Sequence, residues 1–340
     1  MKRLFILAAA TVALASCAKT QVVYNEEPQE IAFKTVENVM TKANTSLGYW
    51  ADGSMGVFAY KTGETNSYFT NAKFEKHTTE SYWVGNGTSY YWPFQGTLDF
   101  YFYAPHQTGN AVNVNEKKLT ISTFTNTNYE YENNTPYVGS GTSLNYNCAD
   151  LMYGSTIITA GKTDQAVNVS LKHALALVQV NVKAIPTGVV SIKSMTLEDT
   201  PANAKLTVNY TGSPSWTDWP EQKLDLTIFK TTTTITPATI TDSFTQLGNE
   251  VLVIPGKAQT SFTITYTLGD SDAVFTATLP LSNGTTPTWE PGNKYVYNIS
   301  FGLEEIKFAP VVVEWGVGNV NVNESSNGGV SVAQYPTPQP

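Results

Sequence analysis

The sequence predicts an all-β protein built as two β-sandwich domains in tandem. Short runs of alternating apolar and polar residues recur from Met55 to Phe301, and nearly every gap between them holds Gly, Pro, Asn or Asp. No segment carries an apolar stripe of period 3.6, so helices are not expected. Many short strands so punctuated are the pattern of sandwiches. Composition agrees: 19 Tyr and 15 Phe accompany abundant Val and Thr, while charged residues make up only 14%, a balance that favours strands.

An export address precedes the first strand. Phe5 to Leu14 is a short apolar run behind Lys2 and Arg3, closed by Leu14-Ala15-Ser16-Cys17. Small residues before a cleavage point are the layout of a secretory signal, predicting a signal peptide over 1–16. All four box positions fit a bacterial lipoprotein, with Cys17 as the first mature residue and the lipidated one. About ten apolar residues are too few to span a bilayer, so acyl chains on Cys17 are expected to be the anchor.

Loss of Lys2 and Arg3 with the signal leaves 18 basic against 28 acidic residues, a net charge of −10. Nucleic acid is excluded as a partner, because its binding needs clustered positive charge. Arg3 is the only arginine, so the exported chain offers nothing to an arginine-specific protease. Cys148 is the one thiol besides Cys17, and no intrachain disulfide is expected. About 320 mature residues suffice for two domains.

In chain order, residues 17–42 read as a lipidated leader. A polar tether runs to Glu30, and Ile31-Ala32-Phe33-Lys34-Thr35-Val36 alternates through Ile31 and Phe33 as a single strand would. Val39 to Thr45 is small, polar and open to proteases. The first sandwich is assigned to 43–164. Its strands are Met55–Tyr60, Tyr82-Trp83, Tyr90–Pro93 and Leu98–Pro105, the last half-buried, with Leu98, Phe100 and Phe102 inward and Asp99, Tyr101 and Tyr103 outward. Residues 106–147 are rich in Asn, Thr, Gly and Tyr and receive no assignment. Thr163-Asp164-Gln165 is a polar hinge that places the boundary near 164.

The second sandwich covers 165–305. Strands are expected at Val167–Leu171, Leu175–Val182, Val189–Leu197, Lys205–Tyr210, Leu224–Phe229, Val251–Ile254, Ser261–Leu268, Val274–Leu279 and Lys294–Phe301. Residues 306–340 form a C-terminal strand extension and tail. Val311, Val313, Trp315 and Val317 share one side, and after Gly318 the apolar phase shifts to Val320 and Val322, as at a bulge. A Ser/Asn/Gly spacer, a short alternation at Val330 and Val332 and a proline-rich end follow.

Catalytic chemistry is thinly represented. His77, His106 and His173 are scattered and make no HxxxH or HExxH pattern, and no GxSxG elbow or phosphate loop occurs. His173 reads as a packed or turn-stabilising histidine. Asp270-Ser271-Asp272 lacks the further acidic ligands of a calcium loop and reads as a hairpin turn. No cofactor, metal site or enzymatic activity is expected. Trp50, Trp83 and Trp92 read as core and inter-domain packing, with a sugar-stacking platform as the alternative.

The order Tyr91-Trp92-Pro93, Phe100-Tyr101-Phe102-Tyr103-Ala104-Pro105, Asp150-Leu151-Met152-Tyr153, Leu171-Lys172-His173-Ala174-Leu175-Ala176, Val253-Ile254-Pro255, Pro291-Gly292-Asn293-Lys294-Tyr295-Val296-Tyr297-Asn298-Ile299 and Phe308-Ala309-Pro310 with Trp315 resembles the fimbrillin (Mfa-like) subunits of type V pili from Bacteroidales. The resemblance implies two transthyretin-like sandwiches, transport to the outer membrane as a lipoprotein, and removal of the leader by a surface protease. A strand from the next pilin subunit then fills the vacated groove. Carried onto this chain, Cys17 is the lipidated residue and Ile31 and Phe33 are the removable occupants. The Lys42-Ala43 bond is the cut, and Val311, Val313, Trp315 and Val317, or the later Val320/Val322 pair, are the donated side chains. Cleavage after arginine, found in some members, has no counterpart here. The expected setting is the cell surface, in a fimbrium that supports adhesion; the alternative is a non-polymerising lipoprotein that binds glycans through exposed aromatics.

Overall fold

The computed structural model describes residues 28–35, 54–76, 82–108, 112–115, 117–125, 150–157, 166–210, 212–219, 223–231, 238–248, 250–256, 261–269, 274–280, 288–302, 305–314 and 331–334. Among these the chain is all-β. The first strands are β1 (Phe33–Thr35), β2 (Ser54–Lys61), β3 (Ser67–Lys76), β4 (Trp83–Gly85), β5 (Leu98–Ala104), β6 (Val112–Asn115), β7 (Lys118–Thr125) and β8 (Met152–Ile157). Then come β9 (Val167–Val169), β10 (Lys172–His173), β11 (Ala176–Ala184), β12 (Val190–Pro201), β13 (Asn203–Asn209), β14 (Ser215–Thr217), β15 (Lys223–Lys230) and β16 (Ala238–Thr239). The last are β17 (Thr245–Gln246), β18 (Val251–Val253), β19 (Ser261–Leu268), β20 (Phe275–Pro280), β21 (Asn293–Phe301), β22 (Glu305–Glu314) and β23 (Ser331–Gln334).

Eight strands form one sheet in the order β10-β8-β5-β2-β3-β4-β1-β9. The sheet curls, since the Thr156 hydroxyl on β8 donates to the Asn168 carbonyl on β9 at 3.1 Å, bringing the two ends of the order together. Inside the curl lie Ile31, Phe33, Val57, Phe74, Trp83, Leu98, Phe100, Phe102, Val167 and Val169. The other face of β2 and β5 carries Phe58, Tyr60, Tyr101 and Tyr103, and these belong to a second, larger core. The expectation of a half-buried β5 is therefore corrected: all seven of its residues are buried. Its outer face is covered by Tyr210, whose ring centroid lies 4.7 Å from that of Tyr101, in a core shared with β7 and β13.

Strand β7 pairs antiparallel with β13 and with β6, and β14 closes this four-stranded sheet. Residues 106–147 thus contain a hairpin whose tip residue Lys117 sits at φ 62°. The remaining sheets, β17-β11-β21-β22-β23 and β15-β12-β19-β20, face each other. Phe262 packs on Tyr297 at 5.1 Å and Tyr266 on Phe301 at 5.8 Å. Strands β9 and β10, downstream of 164, are hydrogen-bonded into the first sheet, while β7, upstream, joins β13.

Other strand expectations also change. Tyr90–Pro93 contributes only an isolated bridge, Tyr91 to Glu30. Strand β3, which the sequence reading passed over, lies between β2 and β4.

Candidate functional site

Strand β1 lies inside a sheet, between β4 and the last strand β9, rather than at its edge. β1 runs parallel to β9, with Phe33 opposite Val167, Lys34 opposite Asn168 and Thr35 opposite Val169, and antiparallel to β4, with Phe33 opposite Trp83. Just upstream, Ile31 N–H donates to the Tyr90 carbonyl at 2.7 Å, and Trp92 N–H donates to the Gln29 carbonyl at 2.9 Å. On the other side Val167 N–H donates to the Ala32 carbonyl at 2.8 Å. The backbone of residues 29–32 is therefore bonded to both neighbours.

Alternation sends Ile31 and Phe33 inward, each with 0% exposure, while Lys34 faces solvent. The Phe33 ring is enclosed by Phe74, Phe100 and Phe102 at centroid distances of 4.9, 5.0 and 5.0 Å, all edge-to-face. That arrangement sets the positive ring edges against negative faces, adding to the burial of the phenyl group. Val167 and Val169 are buried on β9 and the intervening Asn168 is exposed, so β9 supplies a matching apolar wall. Without β1 this place is an apolar groove between two strand edges, whose unpaired backbone groups suit an incoming strand.

The sequence-derived residues fall unevenly around the groove. Ile31 and Phe33 are in it. Cys17, Lys42, Ala43, Trp315, Val317, Val320 and Val322 lie outside the described residues, as do Trp50, His77, Cys148 and Asp270 to Asp272. Val311 and Val313 lie on β22, opposite Val296 and Lys294 of β21, and β23 pairs with β22 from Glu305 to Phe308. Trp83 and Trp92 are 3% and 6% exposed, so neither presents a ring for sugar stacking. The sequence reading missed Phe74 and the wall role of Val167 and Val169. The alternations Ala72-x-Phe74 and Val167-x-Val169 were the available signals.

The titratable groups lie away from the groove. His173 Nδ1 is 2.7 Å from Asp150 Oδ2, with both residues buried, so the histidine is a packed one. Burial pushes the Asp150 carboxyl above its ordinary value of 3.8, with His173 opposing the rise. Its Oδ1 has no hydrogen-bond partner among the described residues. Around this pair Ala174 N–H donates to the Leu151 carbonyl, Gly292 N–H to that of Leu175, and Trp216 Nε1 to that of Ala174, joining three sheets. Elsewhere Lys117 Nζ contacts Asp99 Oδ2 at 2.8 Å, a bond that raises the lysine, and the Thr62 hydroxyl donates to Asp99 Oδ1. The Tyr103 phenol is pushed up to about 12 by burial, against the Gln107 backbone N–H that donates to it and its bond with Asn71. No group of three or more His, Cys, Asp or Glu among the described residues is placed to hold a metal ion.

Solved structures share this architecture. A proposed cell adhesion protein of Bacteroides uniformis superposes with a TM-score of 0.52 at 14% identity, over 84% of this chain and 99% of its own. A second proposed cell adhesion protein, from Bacteroides ovatus, gives 0.52 at 14% identity over 86% and 99%. At that identity the likeness is one of fold. No curated protein matches the sequence. The sequence profile described as fimbrillin-like matches residues 41–315, most of the chain. The chain belongs to the fimbrillin-like family.

Proposed function

We propose that this chain is a structural subunit of a type V fimbria, carried to the outer membrane as a lipoprotein anchored through Cys17. A surface protease cuts the Lys42-Ala43 bond, the leader leaves, and a strand from another subunit takes its place, building a fibre that supports adhesion. The observation that carries this reading is the position of β1. A three-residue strand, separated from β2 by residues 36–53, fills the slot between β4 and β9 with its inward side chain Phe33 fully buried. Backbone pairing supplies affinity in such an arrangement, and the alternate side chains supply selectivity.

The C-terminal region offers matching chemistry. Glu30-Ile31-x-Phe33 recurs as Glu305-Ile306-x-Phe308, and the dipeptide Glu-Ile occurs nowhere else in the chain. After Phe308 the apolar phase shifts by one residue, and Val311, Val313, Trp315 and Val317 alternate on the opposite side. Donation from β22 itself requires its nine Cα pairs with β21 to open. Donation from beyond Glu314 leaves them intact, which favours Trp315 and Val317 or the Val320/Val322 pair.

Changing Lys42→Ala is expected to hold the protein as a lipidated monomer. Undiminished detergent-resistant ladders from that variant would contradict the reading.

A further inference from the structure

Among the described residues, the contacts that hold β1 come from residues 29 to 35: the two buried side chains, three phenyl rings around Phe33, and backbone bonds to residues 90 and 92 on one side and 167 on the other. A cut at Lys42-Ala43 touches none of them. It changes only the tether. An attached leader competes for the groove at an effective concentration on the order of millimolar, and a detached one competes at its bulk concentration.

We propose that β1 remains in the groove as a noncovalent plug after the chain is cut, and leaves by displacement as an incoming strand replaces it pair by pair, with Phe33 setting its residence time. The inference rests on the reading of β1 as an exchangeable leader. Departure in one step would expose Ile31, Phe33, Val167, Val169 and Phe74 to water together and leave backbone groups of β4 and β9 unpaired at once. Stepwise replacement trades each bond for its equivalent, so no intermediate carries that whole cost.

Residues 29–31 are bonded to the 90–92 segment by two hydrogen bonds, and Lys34 and Thr35 lie opposite Asn168 and Val169 of β9. The Thr35 end lies next to the cut, so displacement begins there and must pass the ring cage at Phe33 before the rest is free.

The test uses the full chain carrying one site-specific protease sequence within residues 37–45. After cutting, size-exclusion chromatography and native mass spectrometry are expected to find leader and body still bound one to one. A labelled peptide of residues 28–36 is then added at rising concentration, and the bound leader's release rate is expected to rise with it. A body loaded with the Phe33→Ala form of that peptide should lose it faster, by on the order of 100-fold or more, because a buried phenyl group and its cage contacts are gone. Placing this change in the peptide keeps the folding of the body out of the comparison. Loss of the leader at the moment of cutting, a release rate independent of added peptide, or equal rates for the two peptides would each overturn the inference. A body that exchanges peptides as described yet never forms ladders with intact copies would leave the inference standing and overturn the polymerisation reading instead.

Discussion

At the scale of single residues, Phe33 carries the largest expectation. Its ring has no exposed surface and three aromatic neighbours. Phe33→Ala in the uncut chain is expected to cost about 3–5 kcal/mol, whereas Lys34→Ala, on the solvent side, should change stability by less than about 0.5 kcal/mol. Urea denaturation of the two variants checks the contrast. Asp150 gives a pH dependence of definite sign. Burial raises its folded-state pKa above 3.8, so the fold prefers the protonated acid. That contribution is fully present below the unfolded value and is lost as pH rises through the folded value. Relative to Asp150→Asn, the natural protein should therefore lose urea resistance as pH rises from 4 through the titration range, and a constant difference would contradict the assignment. Ile31 and Phe33 were legible as inward-facing because period-two alternation survives in so short a strand. Core packing was the reading for Trp83 and Trp92, and both are buried; a sugar-stacking platform stayed open beside it because an aromatic residue in a turn-rich segment has the same local sequence whether it faces core or solvent.

At the scale of elements, the strands that the sequence hid are those whose alternation is interrupted. In β3 only Ala72 and Phe74 are buried, and Asn71, at φ 43°, lies where the register with β2 shifts. That bulge breaks the period that reveals a strand. In β7, Leu119 and Ile121 alternate, but the next buried residue is Phe124, because the pairing with β13 slips between Ala204 and Leu206. Long uninterrupted strands such as β19 and β21 were read closely from their periodicity. β5 shows the opposite failure: aromatic tyrosines on its second face suit an exposed surface as well as a buried one, and only the covering sheet decides. Ile121 and Leu206 face each other across β7 and β13, both with 0% exposure. Each change to Ala is expected to destabilise the protein by about 2–5 kcal/mol. The double variant should depart from additivity by about 0.5–3 kcal/mol, as measured by denaturation midpoints of the three proteins.

At the scale of the whole molecule, the pairing of β7 with β13 and the continuous core from Phe58 to Ile306 join the halves of the chain. Unfolding is therefore expected as one transition, with tyrosine fluorescence and far-ultraviolet circular dichroism coinciding. The all-β class was legible because strand period and turn residues are local properties. The crossing of strands between halves depends on distant pairings that no local pattern records. The role of β1 belongs to this scale as well: the sequence shows a lone strand, and the sheet order shows that it completes a wall. The central claim is that this strand is removed and its place in the sheet taken by a strand of another copy. The most direct measurement is mass spectrometry of the chains in a detergent-resistant ladder purified from the cell surface. Chains that begin at Ala43 and lack residues 17–42 are the expected result, and ladders built from chains that keep the leader would contradict it.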